Sequence, residues 1–200
     1  MIGRFDEARE LLDLACRTLE DLGFITLNSS FTQYDGLVEL LAGDLARAEE
    51  RLRFGLGRLE EMGERAFVST LAALLGEVLY RRGHHDEAAR FVHRSVETAA
   101  PDDLEAQIAW RIVQSKLLAT AGQLENAEAL ARRAVSLAEK TDWSNDHAAA
   151  CVALGEVLHK RGRPEQAEAA IRKALALYEA KENIVAVEGV RALLARLVLA

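Results

Sequence analysis

A glycine followed five residues later by an alanine recurs along this chain at almost constant spacing. The pairs are Gly3/Ala8, Gly43/Ala48, Gly83/Ala88, Gly122/Ala127 and Gly162/Ala167, and successive glycines lie 40, 40, 39 and 40 residues apart. Thirteen glycines scattered at random over 200 residues would very rarely fall into such a register. Self-similarity at a fixed period of this size is the mark of a repeat architecture, in which one short structural unit is stacked on copies of itself.

A second register fixes what the unit is. Seven residues before four of these glycines stands another small residue: Gly36, Gly76, Ser115 and Gly155. The surrounding windows read DGLVELLAGDLARAEERL, LGEVLYRRGHHDEAARFV, QSKLLATAGQLENAEALA and LGEVLHKRGRPEQAEAAI, each a helix, a glycine turn and a second helix. A glycine after the last apolar residue of a helix takes the left-handed conformation that ends it, which costs other residues more. Acidic residues follow the turn (Asp44, Asp86, Glu87, Glu125, Glu165), where they suit the positive start of the next helix, and Pro164 sits where a first-turn proline is tolerated. The small residue before the turn and the alanine after it let the paired helices approach closely.

Composition agrees. Half the residues are hydrophobic, 6% are aromatic and only Pro101 and Pro164 are prolines. Straight-chain residues and alanine lose little freedom in a helix, and no segment alternates apolar and polar residues with β-branched enrichment in the manner of a strand. The expectation is eleven helices. Spans are assignable at 4–21, at 25–41 paired with 44–61, 64–81 with 85–99, 103–120 with 124–140, 145–160 with 164–180, and at 184–198. The chain is expected to form a single domain: a half repeat 1–22, repeats 23–62, 63–101, 102–141 and 142–182, and a C-terminal helix 183–200 with Ala195 at the small position. Opening within a pair, it is expected to be a piece of a larger array. Self-association is expected through the incomplete N-terminal repeat, whose apolar face carries Phe5, Leu11, Leu12 and Leu19.

These residues resemble the tetratricopeptide (TPR) repeat. In that family the first helix has a small residue at its eighth position, and the second helix follows with alanine at the twentieth and twenty-seventh positions of the repeat. Gly155, Ala167 and Ala174 match all three, as do Ser115, Ala127 and Ala134. Gly76 with Ala88, and Gly36 with Ala48, match two, the third position being Ser95 and Gly55. The family's period is 34 residues; the longer one here, with strings such as LEEMGERAFVSTLAALLGEVLYRRGHHDEA, resembles C-terminal regions of bacterial LuxR-type ATP-binding regulators and cyclase–ATPase–TPR proteins. The resemblance implies an all-α, right-handed superhelical solenoid of antiparallel helix pairs. It also implies a concave groove lined by the second, fifth, ninth, twelfth and thirteenth residues of the first helices, which here include Gln33, Leu37, Leu40, Glu77, Tyr80, Arg81, Ile112, Lys116, Glu156, His159 and Lys160.

Chemistry-bearing motifs are sparse. Glu156 and His159 have the Glu-x-x-His spacing of di-metal bundles, but the equivalent positions two pairs earlier, Glu77 and Tyr80, lack the histidine, so no metal is expected. His84 and His85 fall in a turn, and His93 and His147 stand on helices without an evident partner. No phosphate-binding glycine loop and no nucleophile elbow is present, and no cofactor or catalysis is expected. Trp110 is expected in the core, and Trp143 opens a helix as a candidate ligand anchor. Cys16 and Cys151 lack metal or redox spacing and are expected to be buried thiols of a cytoplasmic protein. The net charge of −7 and pI near 5.3 argue against direct nucleic-acid binding. The basic residues Arg81, Arg82, Lys160, Arg161 and Arg163 lie at helix ends, where cations offset the helix dipole. No apolar run is long enough to span a membrane, and no signal peptide is evident.

The functional expectation is a protein-interaction scaffold, the TPR region of a bacterial signalling or transcriptional regulator, which holds a partner's protein or peptide segment. The alternatives are an effector-sensing module that binds a small molecule, and the non-catalytic C-terminal segment of a larger cyclase or ATPase.

Overall fold

The computed structural model describes residues 2–198. Ten α-helices run along it: α1 (Phe5–Asp21), α2 (Ile25–Ala42), α3 (Leu45–Glu61), α4 (Ala66–Arg81), α5 (His85–Thr98), α6 (Leu104–Thr120), α7 (Leu124–Ala138), α8 (Ser144–Lys160), α9 (Pro164–Ala180) and α10 (Ile184–Val198). Each assignable span has its helix, within two residues at either end. No eleventh helix exists among the described residues. The helices pack as adjacent antiparallel pairs, and the chain divides into two compact units. One is Arg4–Ala106; the other is Gln107–Ala200 with Met1–Gly3.

The turns inside the pairs are alike. Gly43, Gly83, Gly122 and Gly162 follow α2, α4, α6 and α8 with φ between 69° and 83°. At Gly83 the glycine N–H donates to Tyr80 O and the following His84 N–H to Leu79 O, at 3.0 and 2.9 Å. This is the Schellman arrangement, which satisfies carbonyls that a helix end otherwise leaves open.

The links between pairs vary. Gly23 and Gly63 close α1 and α3 in the same way, but α5 ends at an extended residue, Ala99 (φ −66°, ψ 123°). After α9 the left-handed position is taken by Glu182, at φ 57°, with Asn183 N–H donating to Tyr178 O at 2.9 Å. Acids and one amide cap four of the helix starts. Asp44 accepts from Arg47 N–H, Glu64 from Ala66 and Phe67 N–H, Asp103 from Ala106 N–H and Asn183 from Ala186 N–H.

The small-residue register marks where the paired helices touch. A Cβ on Gly36 would fall 2.5 Å from the Leu52 side chain, and one on Gly155 would fall 2.5 Å from Ile171 Cδ1 and 3.2 Å from Ala167 O. Leu52 and Ile171 each lie nine residues after a turn glycine and are fully buried. Gly55 makes the same approach from the second helix, its position filled by Thr32 Oγ1 and Ser29 O. Around these contacts unit Arg4–Ala106 gathers Leu56, Leu59, Val68, Leu71, Leu75, Leu79 and Val92. The other unit gathers Cys151, Ala174, Tyr178, Val187 and Val190, with Leu154, Leu158 and Ala167 in a second cluster. Removing a buried leucine from water contributes roughly 1.5–3 kcal/mol, so these seams supply most of the driving force.

The terminal helices are covered less. α1 has no fully buried residue. Ala8 is half-buried whereas its counterparts Ala48, Ala88, Ala127 and Ala167 are buried. Of the apolar side chains expected to be open on α1, Leu11 is exposed, while Phe5, Leu12 and Leu19 are half-buried; Leu14 is exposed as well. Ala195 on α10 is also exposed.

Two measurements test this account. Glu182→Gly is expected to stabilise the chain by about 1 kcal/mol, because a left-handed residue with a Cβ costs about that much. In a thermal melt followed by circular dichroism this is a rise of roughly 2–4 °C; a fall would refute the strained turn. Gly155→Ala is expected to cost about 2 kcal/mol by overpacking Ile171. Combining it with Ile171→Val should cost less than the sum of the two single changes, and strict additivity would show that the residues do not meet.

Candidate functional site

The first-helix residues expected to line a binding face are placed unit by unit. On α2, Leu40 is buried and Gln33 and Leu37 are half-buried. On α4, Glu77 is buried and its carboxylate accepts a hydrogen bond from Arg81 Nε at 2.8 Å. Tyr80 stacks on His85 of α5, ring centroids 5.2 Å apart, so Glu77, Tyr80 and Arg81 are each tied to a near neighbour. In the other unit Ile112 is buried, Lys116, Glu156 and His159 are half-buried and Lys160 is exposed. Leu40, Glu77 and Ile112 therefore have little surface to offer a ligand, and the polar surface falls to Gln33, Arg81, Lys116, Glu156, His159 and Lys160.

The electrostatics of the chain are concentrated between pairs. Glu39 of α2 accepts from Arg9 of α1 through Nε and Nη2 at 2.9 and 2.7 Å, a two-pronged contact, and Arg47 Nε lies 3.0 Å away. Glu49 of α3 bonds Arg53 one turn on and Arg82 at the end of α4, while Arg53 reaches Glu87 at 2.6 Å. Glu128 of α7 repeats the scheme, bonding Arg132 one turn on, Arg161 at the end of α8 and Arg163 in the turn beyond. In both ladders the glutamate lies six residues after a turn glycine, one arginine four residues further and the other just before the next turn glycine. Glu168 and Arg172 keep the first half of this pattern.

Arg82 and Arg161 thus do more than offset a helix dipole: each bonds the second helix of the preceding pair. The signal was present in the sequence, but the partners are 33 residues apart and meet only once the stacking is known. Burial of Glu128 works against its charge, yet the Arg132 hydrogen bond and the charges of Arg132, Arg163 and Arg161 outweigh it and hold the carboxyl below its ordinary value of 4.5. Glu49 is lowered in the same way by Arg53 and Arg82.

The remaining candidates separate. Cys151 is buried, and burial pushes its thiol up to about 11; Cys16 is only half-buried, and burial followed by the charges of Asp35 and Asp13 raises it. Trp110 is half-buried rather than a core residue, its indole N–H donating to Gln107 Oε1 at 3.3 Å. Trp143 is 40% exposed and, with Asp142, Ser144, Asn145, Asp146 and Lys181, lines a cleft of about 300 Å³. His84 and His85 are exposed. His93 lies 3.5 Å from Glu97, and His147 lies 3.9 Å from Glu139, so neither is without a charged neighbour. Among the described residues no group of His, Cys, Asp and Glu is arranged to hold a metal ion, and no helix is long and apolar enough to cross a membrane.

The lowered carboxyls set a pH dependence. A depressed folded-state pKa contributes stability that is complete above the unfolded value and is lost as pH falls through the folded one. The melting temperature is therefore expected to drop below about pH 4.5, the ordinary carboxyl value, and Glu128→Gln should lose part of that drop. At pH 7 the same variant is expected to cost about 2 kcal/mol, since it removes charge-assisted hydrogen bonds; an unchanged pH profile would count against the ladder. A thiol reagent at pH 8 should modify Cys16 slowly and leave Cys151 unmodified until the chain unfolds; comparable rates at both sites in the native protein would contradict the burial difference.

The tetratricopeptide-repeat family model matches residues 70–94 and 148–173, segments that cover most of α4 and of α5, and most of α8 with the first half of α9. No curated protein matches the sequence. The crystal structure of BtubC (BKLC) from P. vanneervenii aligns over 97% of this chain and 91% of its own, with a TM-score of 0.62 at 15% identity. YrrB, described as a TPR protein with an unusual peptide-binding site, aligns over 93% of this chain and 97% of its own, with a TM-score of 0.46 at 18% identity. Two segments of the chain, one on α4 and α5 and one on α8 and α9, are thus similar to the tetratricopeptide repeat.

Proposed function

We propose that the chain is a protein-interaction scaffold, the TPR region of a bacterial signalling or transcriptional regulator, whose first helices hold an extended or helical segment of a partner. The observation that carries this reading is the repeat itself. Helix pairs that put their binding energy into stacking leave a series of first-helix surfaces at regular intervals, which is how repeat proteins present extended binding faces. Gln33, Arg81, Lys116, Glu156, His159 and Lys160 give these faces mixed polarity, suited to the side chains and main-chain groups of a peptide. The regulator context draws on the resemblance of the long repeat to the C-terminal regions of LuxR-type proteins. A segment of a larger cyclase or ATPase would carry the same faces.

The effector-sensing alternative has less support. Ligand sites are generally concave, about 300–1,000 Å³ and mostly apolar. The cleft at Trp143 is at the small end of that range, and apart from the indole its lining is polar or charged.

A photo-crosslinking phenylalanine analogue in place of Tyr80 or His159 tests the scaffold reading in cells. Discrete protein adducts are expected from these two positions and not from Arg94 or Arg172, which are exposed on second helices. Equal labelling from all four positions, or none, would refute it. An ATPase or cyclase domain encoded upstream in the same reading frame is the expected sign of the regulator context.

A further inference from the structure

Where α7, α8 and α9 meet, one carboxylate stands within reach of two groups that can be cations. Lys173 Nζ of α9 lies 2.7 Å from Glu139 Oε1 at the end of α7, and both side chains are about half exposed. His147 Nε2, in the first turns of α8, lies 3.9 Å from the same oxygen, too far for a hydrogen bond. That Nε2 is buried and has no hydrogen-bond partner. α8 packs against α7 and α9, and Glu139 from the first and Lys173 from the second are the charges that bear on the ring. Cys151, one turn further along α8, is buried, and burial pushes its thiol up to about 11, so it stays neutral. Only the lysine holds the carboxylate.

We propose that His147, Glu139 and Lys173 form an acid-sensitive clasp at the α7–α8 joint, in which protonation of His147 draws the Glu139 carboxylate away from Lys173. In the neutral ring, Nε2 is a single unmade hydrogen bond, a modest cost while the lysine satisfies the carboxylate. Once protonated, Nε2 is a charged donor buried beside one acceptor that is already engaged. An unpartnered buried charge costs far more than an ion pair between two half-exposed side chains, so the carboxylate goes to the imidazolium. Lys173 is then released to water, which its side chain already reaches. The bond from α7 to α9 is exchanged for one from α7 to α8. The chain between Glu139 and His147 carries Trp143, whose carbonyl accepts from the His147 N–H at 3.0 Å, so the exchange bears on the cleft that Trp143 lines. Burial first, and Lys173 next, hold the ring below its ordinary value of 6.5, with Glu139 acting against them. A value depressed on folding means that the unfolded chain binds the extra proton more readily. Stability is therefore complete above about pH 6.5 and is lost as pH falls below it, a window separate from that of the carboxylates. The inference does not rest on the scaffold reading.

The test is an NMR titration of the His147 ring in the whole chain, its signals assigned by their loss in His147→Gln. The midpoint is expected below 6.5. Glu139→Gln is expected to lower it further by at least about half a pH unit, and Lys173→Met to raise it by a similar amount, because the two charges act on the imidazolium with opposite sign. Both positions are half exposed, so these variants keep the fold even if His147→Gln does not. The exchange of partners has its own readout. The effects of Glu139→Gln and Lys173→Met on melting temperature are expected to be non-additive at about pH 7 and additive at about pH 5, because the pair is coupled only while it is formed. In the His147→Gln background the coupling is expected to persist at both. A midpoint at or above 6.5, neighbour variants that leave it unmoved or shift it the other way, or a Glu139–Lys173 coupling that survives in acid with His147 present would each overturn the clasp.

Discussion

The fold depends on the absence of a side chain where two helices cross. Gly36 against Leu52 and Gly155 against Ile171 leave room for one buried aliphatic residue and none for a Cβ. The contact sets the separation of the pair, and the separation decides which apolar residues can reach the seam. The glycine turn seven residues later brings the second helix back along the first, so spacing and direction are fixed by two small residues within one short segment. α4 packs both against α5 of its own pair and against α3 of the pair before it, which explains why it is buried along so much of its length.

Helix positions and pairing were legible in the sequence because they depend on local quantities. A left-handed turn demands glycine at one position, and a close helix crossing demands a small residue at another; both recur at the period of the repeat. The charge network was not legible, because it depends on tertiary register. Arg161 reads as a cation at a helix end until α7 is placed beside α8, and only then does it become a partner of Glu128. Trp110 failed differently. It lies on an apolar helix face, and only the position of Arg111 shows that its ring is half open and stacked on a cation.

The first-helix candidates were read by analogy with the shorter repeat, and three of them, Leu40, Glu77 and Ile112, have little exposed surface. A period about six residues longer than the family's 34 needs longer helices or links, and longer helices rotate some positions into the seam. The polar members that remain on the surface, Gln33, Arg81, Lys116, Glu156, His159 and Lys160, are distributed over four first helices.

The connections within pairs are uniform, whereas those between pairs are not: glycine after α3, an extended Ala99 after α5, and a strained Glu182 after α9. The single short interval of the chain, 39 residues from Gly83 to Gly122, contains the extended link. Phase is therefore set anew inside each pair and is not carried across the joint before it. A residue gained or lost at a joint shifts the numbering of everything downstream and leaves every crossing in step. An array built in this way can change length at its joints while each pair keeps its own geometry.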